Sequence, residues 1–207
     1  MRVLITDFLA ESDFEREVLP GVEVDALLSL IGHPPTPADL VRVLGERPAA
    51  VLITWYEMFF DPTTLAALSR AGVVGIVRAG VGFDNIDLMG ARASGITVCN
   101  VPDYGTDEVA DHTMALLLWC LRCLRAAPPT AAPPTAWWGT ARFASILRLQ
   151  ECTLGLLGFG RIGQATARRA QSFGLNVRWY DPYVPRGEPA GSPTGLRCAQ
   201  HPLLTQP

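Results

Sequence analysis

Gly158-Phe159-Gly160-Arg161-Ile162-Gly163 carries the spacing G-x-G-x-x-G, between an apolar run (Thr153 to Leu157) and a helix-forming run. Each glycine has a separate task. Gly158 permits a tight turn, Gly160 lets backbone approach a pyrophosphate, and Gly163 lets the helix pack closely on the strand. The helix N-terminus that follows offers N–H groups to phosphate oxygens. Asp181 follows 18 residues after Gly163, at the end of a second strand-like run. An acid there hydrogen-bonds the adenosine ribose hydroxyls and repels a 2′-phosphate, which favours NAD over NADP.

A second glycine pair lies in Arg78-Ala79-Gly80-Val81-Gly82-Phe83-Asp84-Asn85-Ile86-Asp87. Two glycines after a parallel strand can form a nest of N–H groups that cradles a carboxylate. Spacing alone favours a plainer reading, a strand-to-helix turn with Asn85 as helix cap. Other chemistry-bearing residues have plain readings too. His112 reads as a packed helix histidine, and His33, before Pro34-Pro35, as surface loop. Cys120 and Cys123 have redox or zinc spacing but sit in an apolar helix without a second pair, so buried thiols are expected and no metal site. Asp7 ends the first strand as a phospho-receiver acid would, yet Val51 to Thr54 supplies no phospho-acceptor aspartate. Trp137 and Trp138 read as cover for apolar surface.

These residues need a scaffold. Strand signals at Arg2–Thr6, Val22–Leu28, Ala49–Thr54, Val73–Val77 and Ile96–Val101 alternate with helix signals. The helices start at Ser12 (with Glu15 as a capping box), at Thr36 with Asp39, at Asp61-Pro62 and at Asn85. That alternation predicts βαβ units and a parallel sheet. Residues 106–125 form the longest predicted helix, apolar on nearly every side between Met114 and Leu124 and therefore expected to be buried on more than one face. A Pro/Ala/Thr linker follows over 126–140.

The phrases RAGVGFDNID, VCNVPDYGTDEVADHTMALLL and TLGLLGFGRIGQATARRAQSFGLNVRWYDPY resemble the D-isomer-specific 2-hydroxyacid dehydrogenase family. Within it the chain is most similar to the branch that includes the C-terminal-binding-protein corepressors. The resemblance implies an α/β protein: a flavodoxin-like parallel-sheet substrate domain plus an incomplete Rossmann-type nucleotide-binding domain, with the active site in the cleft between. It divides the chain into a substrate (catalytic) domain at 1–101, lacking its C-terminal return segment, a partial NAD-binding domain at 102–185, and an irregular or disordered tail at 186–207. It implies that backbone at Val81 and Gly82 holds the substrate carboxylate. It also implies that Gly158, Gly160, Arg161, Ile162 and Gly163 hold the pyrophosphate, Asp181 the ribose, and that Val109 faces the nicotinamide side.

The family's arginine, histidine and partner carboxylate have no match here. After Asp181 only 26 residues follow, six of them proline, without a strand-like run, and His201 has no acid nearby. The expectation is a C-terminally truncated chain with no catalytic residues of its own. It is an NAD(H)-binding oxidoreductase by lineage, or else an inactive remnant or interaction module. The implied partners are a small 2-keto or 2-hydroxy acid, if active, and a second copy through helix 106–125. A net charge of −3 argues against a nucleic-acid surface. The apolar runs are too short to span a bilayer, and five cysteines without framework spacing suit a reducing cytoplasm.

Overall fold

A computed structural model describes residues 1–122, 124, 146–184 and the backbone of 197–198. The expected linker at 126–140, Trp137, Trp138, Cys123, His201 and most of the 186–207 segment lie outside the described residues. The chain forms two compact units, Met1–Tyr104 and Gly105–Pro207.

The first unit is a five-stranded parallel sheet with strand order β2-β1-β3-β4-β5. Its strands are β1 (Arg2–Ile5), β2 (Glu23–Ala26), β3 (Val51–Thr54), β4 (Gly75–Arg78) and β5 (Thr97–Asn100). The connections are α1 (Asp13–Val18), α2 (Leu27–Ile31), α3 (Pro37–Glu46), α4 (Pro62–Arg70) and α5 (Leu88–Ala93). Helices on a parallel sheet bury its faces, so β1 and β3 are nearly continuous apolar runs, while β2 and β5 alternate apolar and polar residues. One core gathers Leu4, Leu40, Leu44, Leu52, Leu65, Leu68 and Ile76, all essentially inaccessible, and the other gathers Val3, Ile5, Val24 and Ala26. At the outer edge Arg2 is buried against Asp25 at 2.8 Å, and Arg47 reaches the same carboxylate at 3.2 Å.

Local chemistry sets the helix starts, with two departures from expectation. Thr36 and Asp39 form a complete capping box, and Asp61 accepts from the N–H of Thr64, each ahead of a proline in the first turn. Ser12 precedes α1 but makes no cap: it is buried, and its hydroxyl donates to the Val24 carbonyl at 3.2 Å. Asn85 does not cap α5 either. Asp87 does, accepting from the Gly90 N–H at 2.6 Å, while Asn85 is buried and works elsewhere.

The second unit has α6 (Thr106–Leu121), β6 (Thr153–Leu157), α7 (Arg161–Ser172), β7 (Asn176–Tyr180) and β8 (Arg197–Cys198). Its parallel sheet runs β6-β7-β8. The two-residue β8 pairs Arg178 with Arg197 and Trp179 with Cys198 in a stretch expected to lack strand. Proline-rich composition does not forbid so short a pairing. Helix α6 ends four residues before the expected limit, with Arg122 as its cap residue.

It is also less buried than its composition predicts. Ala110 and Met114 are buried, and Leu117, Leu118 and Leu121 pack on the core of Phe159, Ala167, Ala170, Val177 and Trp179. Val109, Leu116 and Trp119 stay 46%, 46% and 45% exposed, and His112 and Cys120 are exposed, not packed. A helix of this width meets its own unit along one stripe only. Arg169 of α7 fastens that stripe, donating to Asp107 at 2.9 Å and Asp111 at 2.5 Å.

Candidate functional site

In the second unit β6 delivers the glycine turn. Gly158 has φ +100°, a conformation that side-chain-bearing residues avoid, so the turn requires glycine there. A Cβ on Gly163 would lie 2.5 Å from the Gly158 carbonyl oxygen, so helix and strand approach closely only because it is absent. Gly160 is the N-cap of α7 and supplies no side-chain acceptor to the first-turn N–H groups; its own surroundings are open. Arg161 and Ile162 open the helix, both exposed. This turn fits a pyrophosphate on two counts: uncapped donors and a small-residue floor.

Phe159, between the first two glycines, anchors the turn. Its ring is fully buried and stacks on Trp179 of β7, with centroids 4.4 Å apart and planes at 11°. Asp181 holds the other side. One carboxylate oxygen accepts the Phe159 N–H at 2.7 Å, and the second accepts those of Tyr183 at 2.8 Å and Val184 at 3.2 Å. These backbone donors, Phe159 first, hold the Asp181 carboxyl below its ordinary pKa, so it is an anion at neutral pH. Val109 sits half-exposed on the second turn of α6.

In the first unit the loop after β4 is stapled from several sides. Asn100 donates to the Val81 carbonyl at 2.8 Å, and the Val101 N–H to that of Gly80 at 3.0 Å. The buried Asn85 amide donates to the Met58 carbonyl at 2.9 Å and to the Trp55 carbonyl at 3.4 Å, tying this loop to the one after β3. Val81 and Gly82 lie past the end of the β4 ladder and are exposed. A Cβ on Gly80 would fall 1.5 Å from Arg78 Nη1, so the guanidinium lies directly over that glycine. Arg78 Nε is buried without a hydrogen-bond partner among the described residues. An unsatisfied buried N–H of a guanidinium is unfavourable by roughly 1–3 kcal/mol or more, which an anion would relieve.

Two further features flank this loop. Asp7 is fully buried and accepts four hydrogen bonds: from the hydroxyls of Thr6 (2.7 Å) and Thr54 (2.9 Å) and the N–H groups of Trp55 (2.9 Å) and Glu57 (2.9 Å). It is a clamp on the β3–α4 loop. Phe8 next to it has φ +67°, the only such non-glycine value among the described residues, in a three-residue turn closed by the Leu9 N–H on the Asp7 carbonyl at 2.8 Å. Its half-exposed ring stands 6.0 Å from those of both Trp55 and Tyr56.

Residues 7–192 match the family profile described as D-isomer specific 2-hydroxyacid dehydrogenase, catalytic domain. The chain belongs to that family. It is 35% identical over 187 residues to a D-3-phosphoglycerate dehydrogenase of Methanocaldococcus jannaschii, covering 90% of this chain and 33% of the relative. Another D-3-phosphoglycerate dehydrogenase, from Mycobacterium tuberculosis, is 37% identical over 147 residues, covering 70% of this chain and 27% of the relative. Among solved structures, a Thermus thermophilus protein superposes with a TM-score of 0.70 at 32% identity, over 96% of this chain and 60% of that one. The chain thus spans about a third of the length of these curated relatives.

Family membership carries the parallel α/β fold and the relation to NAD-dependent oxidoreductases of 2-hydroxy acids. No helix among the described residues is long and apolar enough to cross a membrane, and none of their His, Cys, Asp and Glu side chains cluster as a metal site would. Spacing marks neither Arg78 nor Phe8 as part of a site, and it offers Asp7 only as a phospho-receiver acid, not as the buried clamp that it is. Arg78 carried a usable signal, a lone arginine at the end of an apolar strand directly before a glycine pair. Phe8 carried none, since nothing in its neighbours announces a positive φ.

Proposed function

We propose that this chain is, by lineage, an NAD(H)-binding oxidoreductase of the D-2-hydroxyacid dehydrogenase type. The observation that carries the reading is the turn at Gly158 to Gly163, where a positive φ and a missing Cβ meet at an uncapped helix start. Gly160, Arg161, Ile162 and Gly163 would hold the pyrophosphate, Asp181 the adenosine ribose, and Val109 would face the nicotinamide. The cofactor supplies the hydride. Asp181 is ionised, so it accepts from ribose hydroxyls and repels a 2′-phosphate. The proposed division is a substrate domain over 1–101 and a nucleotide-binding domain over 102–185.

In the first unit, the N–H groups around Val81 and Gly82 would hold the carboxylate of a small 2-keto acid, with the Arg78 guanidinium as the counter-charge. Loop and cation lie together: the Arg78 guanidinium packs over Gly80 in the space a Cβ there would occupy. The proton donor is a different matter. Among the described residues His33 meets only Pro34 and Asp39 in its own exposed loop, and the exposed His112 makes no hydrogen bond or ion pair. A second reading, binding without turnover, rests on that observation: the described residues bind and orient, and none is placed to deliver a proton. By the resemblance of its three motifs we assign the chain to the branch that includes the C-terminal-binding-protein corepressors. We place the chain in a reducing cytoplasm and pair it with a second copy through the half-exposed Leu116 and Trp119 of α6.

Titration of NADH, followed by its own fluorescence, tests the reading. The wild-type chain should bind, and Gly160→Asp, at a position open enough to take a side chain, should lose at least tenfold in affinity while keeping its fold. Equal binding by the variant would remove the turn from the site. For the acid, glyoxylate should shift the amide resonances of Val81 and Gly82, and Arg78→Met should weaken it about tenfold or more, as expected for a charge-assisted hydrogen bond.

A further inference from the structure

We infer that the aromatic trio Phe8, Trp55 and Tyr56 forms the subsite for the acid's side chain, and that it selects an apolar or aromatic group over a phosphorylated one. The inference rests on the carboxylate reading of the Arg78–Gly82 loop and adds the substrate class.

Three observations carry it. The first is place. In a parallel sheet ordered β2-β1-β3-β4-β5 the chain reverses its direction of winding between β1 and β3, and ligands enter the crevice beyond the carboxyl ends of those strands. Phe8 follows β1, and Trp55 and Tyr56 follow β3. Thr54, the residue before Trp55, pairs in register with Arg78, one strand spacing of about 4.8 Å away. The trio therefore follows the two strands at that switch point, and the cation ends the strand beside β3.

The second is construction. Aromatic rings 50% and 56% exposed, at Phe8 and Tyr56, are held out by a backbone that resists collapse. Phe8 keeps an unfavourable φ, and the Asp7 clamp fixes the Trp55–Glu57 backbone from below. A side chain held in strained backbone by a buried network is a recurrent property of binding sites. The Phe8 and Trp55 rings lie within 28° of parallel, and Tyr56 is tilted at 49° to Phe8, leaving faces and edges for a further ring.

The third is charge. Segments 7–14 and 55–61, which supply the trio, contain Asp7, Glu11, Asp13, Glu57 and Asp61 and no lysine or arginine. A dianionic phosphate entering there would meet acids only. The one cation in register, Arg78, is already assigned to the carboxylate. The phosphorylated acid implied by the names of the two curated relatives is therefore disfavoured at this subsite.

The test uses the full chain and proton–nitrogen correlation spectra, with the Trp55 indole signal identified by Trp55→Phe. Probes are pyruvate, phenylpyruvate, 3-phosphohydroxypyruvate and the neutral 3-phenylpropanamide. Phenylpyruvate should bind at least tenfold more tightly than pyruvate and shift the Trp55 indole, and the phosphorylated acid should bind no more tightly than pyruvate. The double variant Phe8→Gly/Tyr56→Ala should erase the preference and leave pyruvate unchanged; glycine suits the positive φ, so folding is preserved. Tightest binding by the phosphorylated acid, or a preference that survives the double variant, overturns the inference while sparing the carboxylate reading. Failure of every acid with retained indole shifts from the neutral amide would overturn the carboxylate reading and spare the trio. No binding by any probe would overturn both.

Discussion

At the residue scale two aspartates do more than their positions announce. Asp7 satisfies four donors from a buried site, and removing it leaves Thr54 and two backbone N–H groups without partners. Asp7→Ala should lower the free energy of unfolding by about 3 kcal/mol, the range for stripping one member from a buried charged network, as read from urea melts. A loss under about 1 kcal/mol would mean that water replaces the carboxylate. Asp181 has a lowered folded pKa, so its contribution to stability is complete above the usual carboxylate range, near pH 4, and is lost as pH falls through the lower folded value. Thermal melts should therefore show an acid-side drop that Asp181→Asn flattens. An unchanged acid limb would detach Asp181 from the glycine turn.

Spacing revealed part of this scale. The glycines at 158, 160 and 163 are legible because each fills a separate steric need that a Cβ or a negative φ would violate. Asp7 and Phe8 are not, because one acts on residues 47 to 50 positions away and the other through a backbone angle. Asn85 shows the limit from the other side: its type suits a cap, but burial and two carbonyls across the loop outcompete the helix end.

At the scale of elements, β1 and β3 at the centre of the first sheet read out well because each is a nearly continuous apolar run, Arg-Val-Leu-Ile and Val-Leu-Ile-Thr, whereas β2 and β5 mix apolar and polar residues. Capping chemistry was informative where the cap is exposed, as at Thr36, and misleading where the residue is buried, as at Ser12. Thr36→Ala should therefore cost about 1 kcal/mol through lost helix capping. Ser12→Ala should act through the Val24 carbonyl and leave the start of α1 in place, which amide protection factors would reveal.

Helix α6 was legible in extent and not in burial. Apolar residues on nearly every side gave no indication which stripe meets the core; packing on α7 chose Ala110, Met114, Leu117, Leu118 and Leu121. The opposite stripe is the proposed contact with a second copy. Light scattering should report about twice the 22.4 kDa chain mass for the wild type and a folded monomer for Leu116→Glu/Trp119→Glu. Both positions are half-exposed, so folding tolerates the charges. A wild-type monomer would dissociate α6 from any such interface.

For the molecule as a whole, two compact units divide the proposed work: one offers an anion-holding loop beside an aromatic trio, the other a cofactor turn. Neither unit, among its described residues, places a histidine against a carboxylate at its proposed site. Because general acid catalysis typically contributes about 10² to 10⁴-fold, the 207-residue chain alone should bind ligands yet give no NADH consumption with pyruvate or glyoxylate. A rate proportional to protein and absent in Gly160→Asp would show that a proton donor is present after all.

The central claim is that the turn at Gly158 to Gly163 and the ionised Asp181 together read an adenosine dinucleotide without a 2′-phosphate. Calorimetric titration of NADH and NADPH into the same preparation tests it most directly. The account predicts that NADH binds at least tenfold more tightly than NADPH and that Asp181→Ser narrows the gap. Equal or tighter binding of NADPH by the folded wild-type chain, or no binding of either, would contradict it.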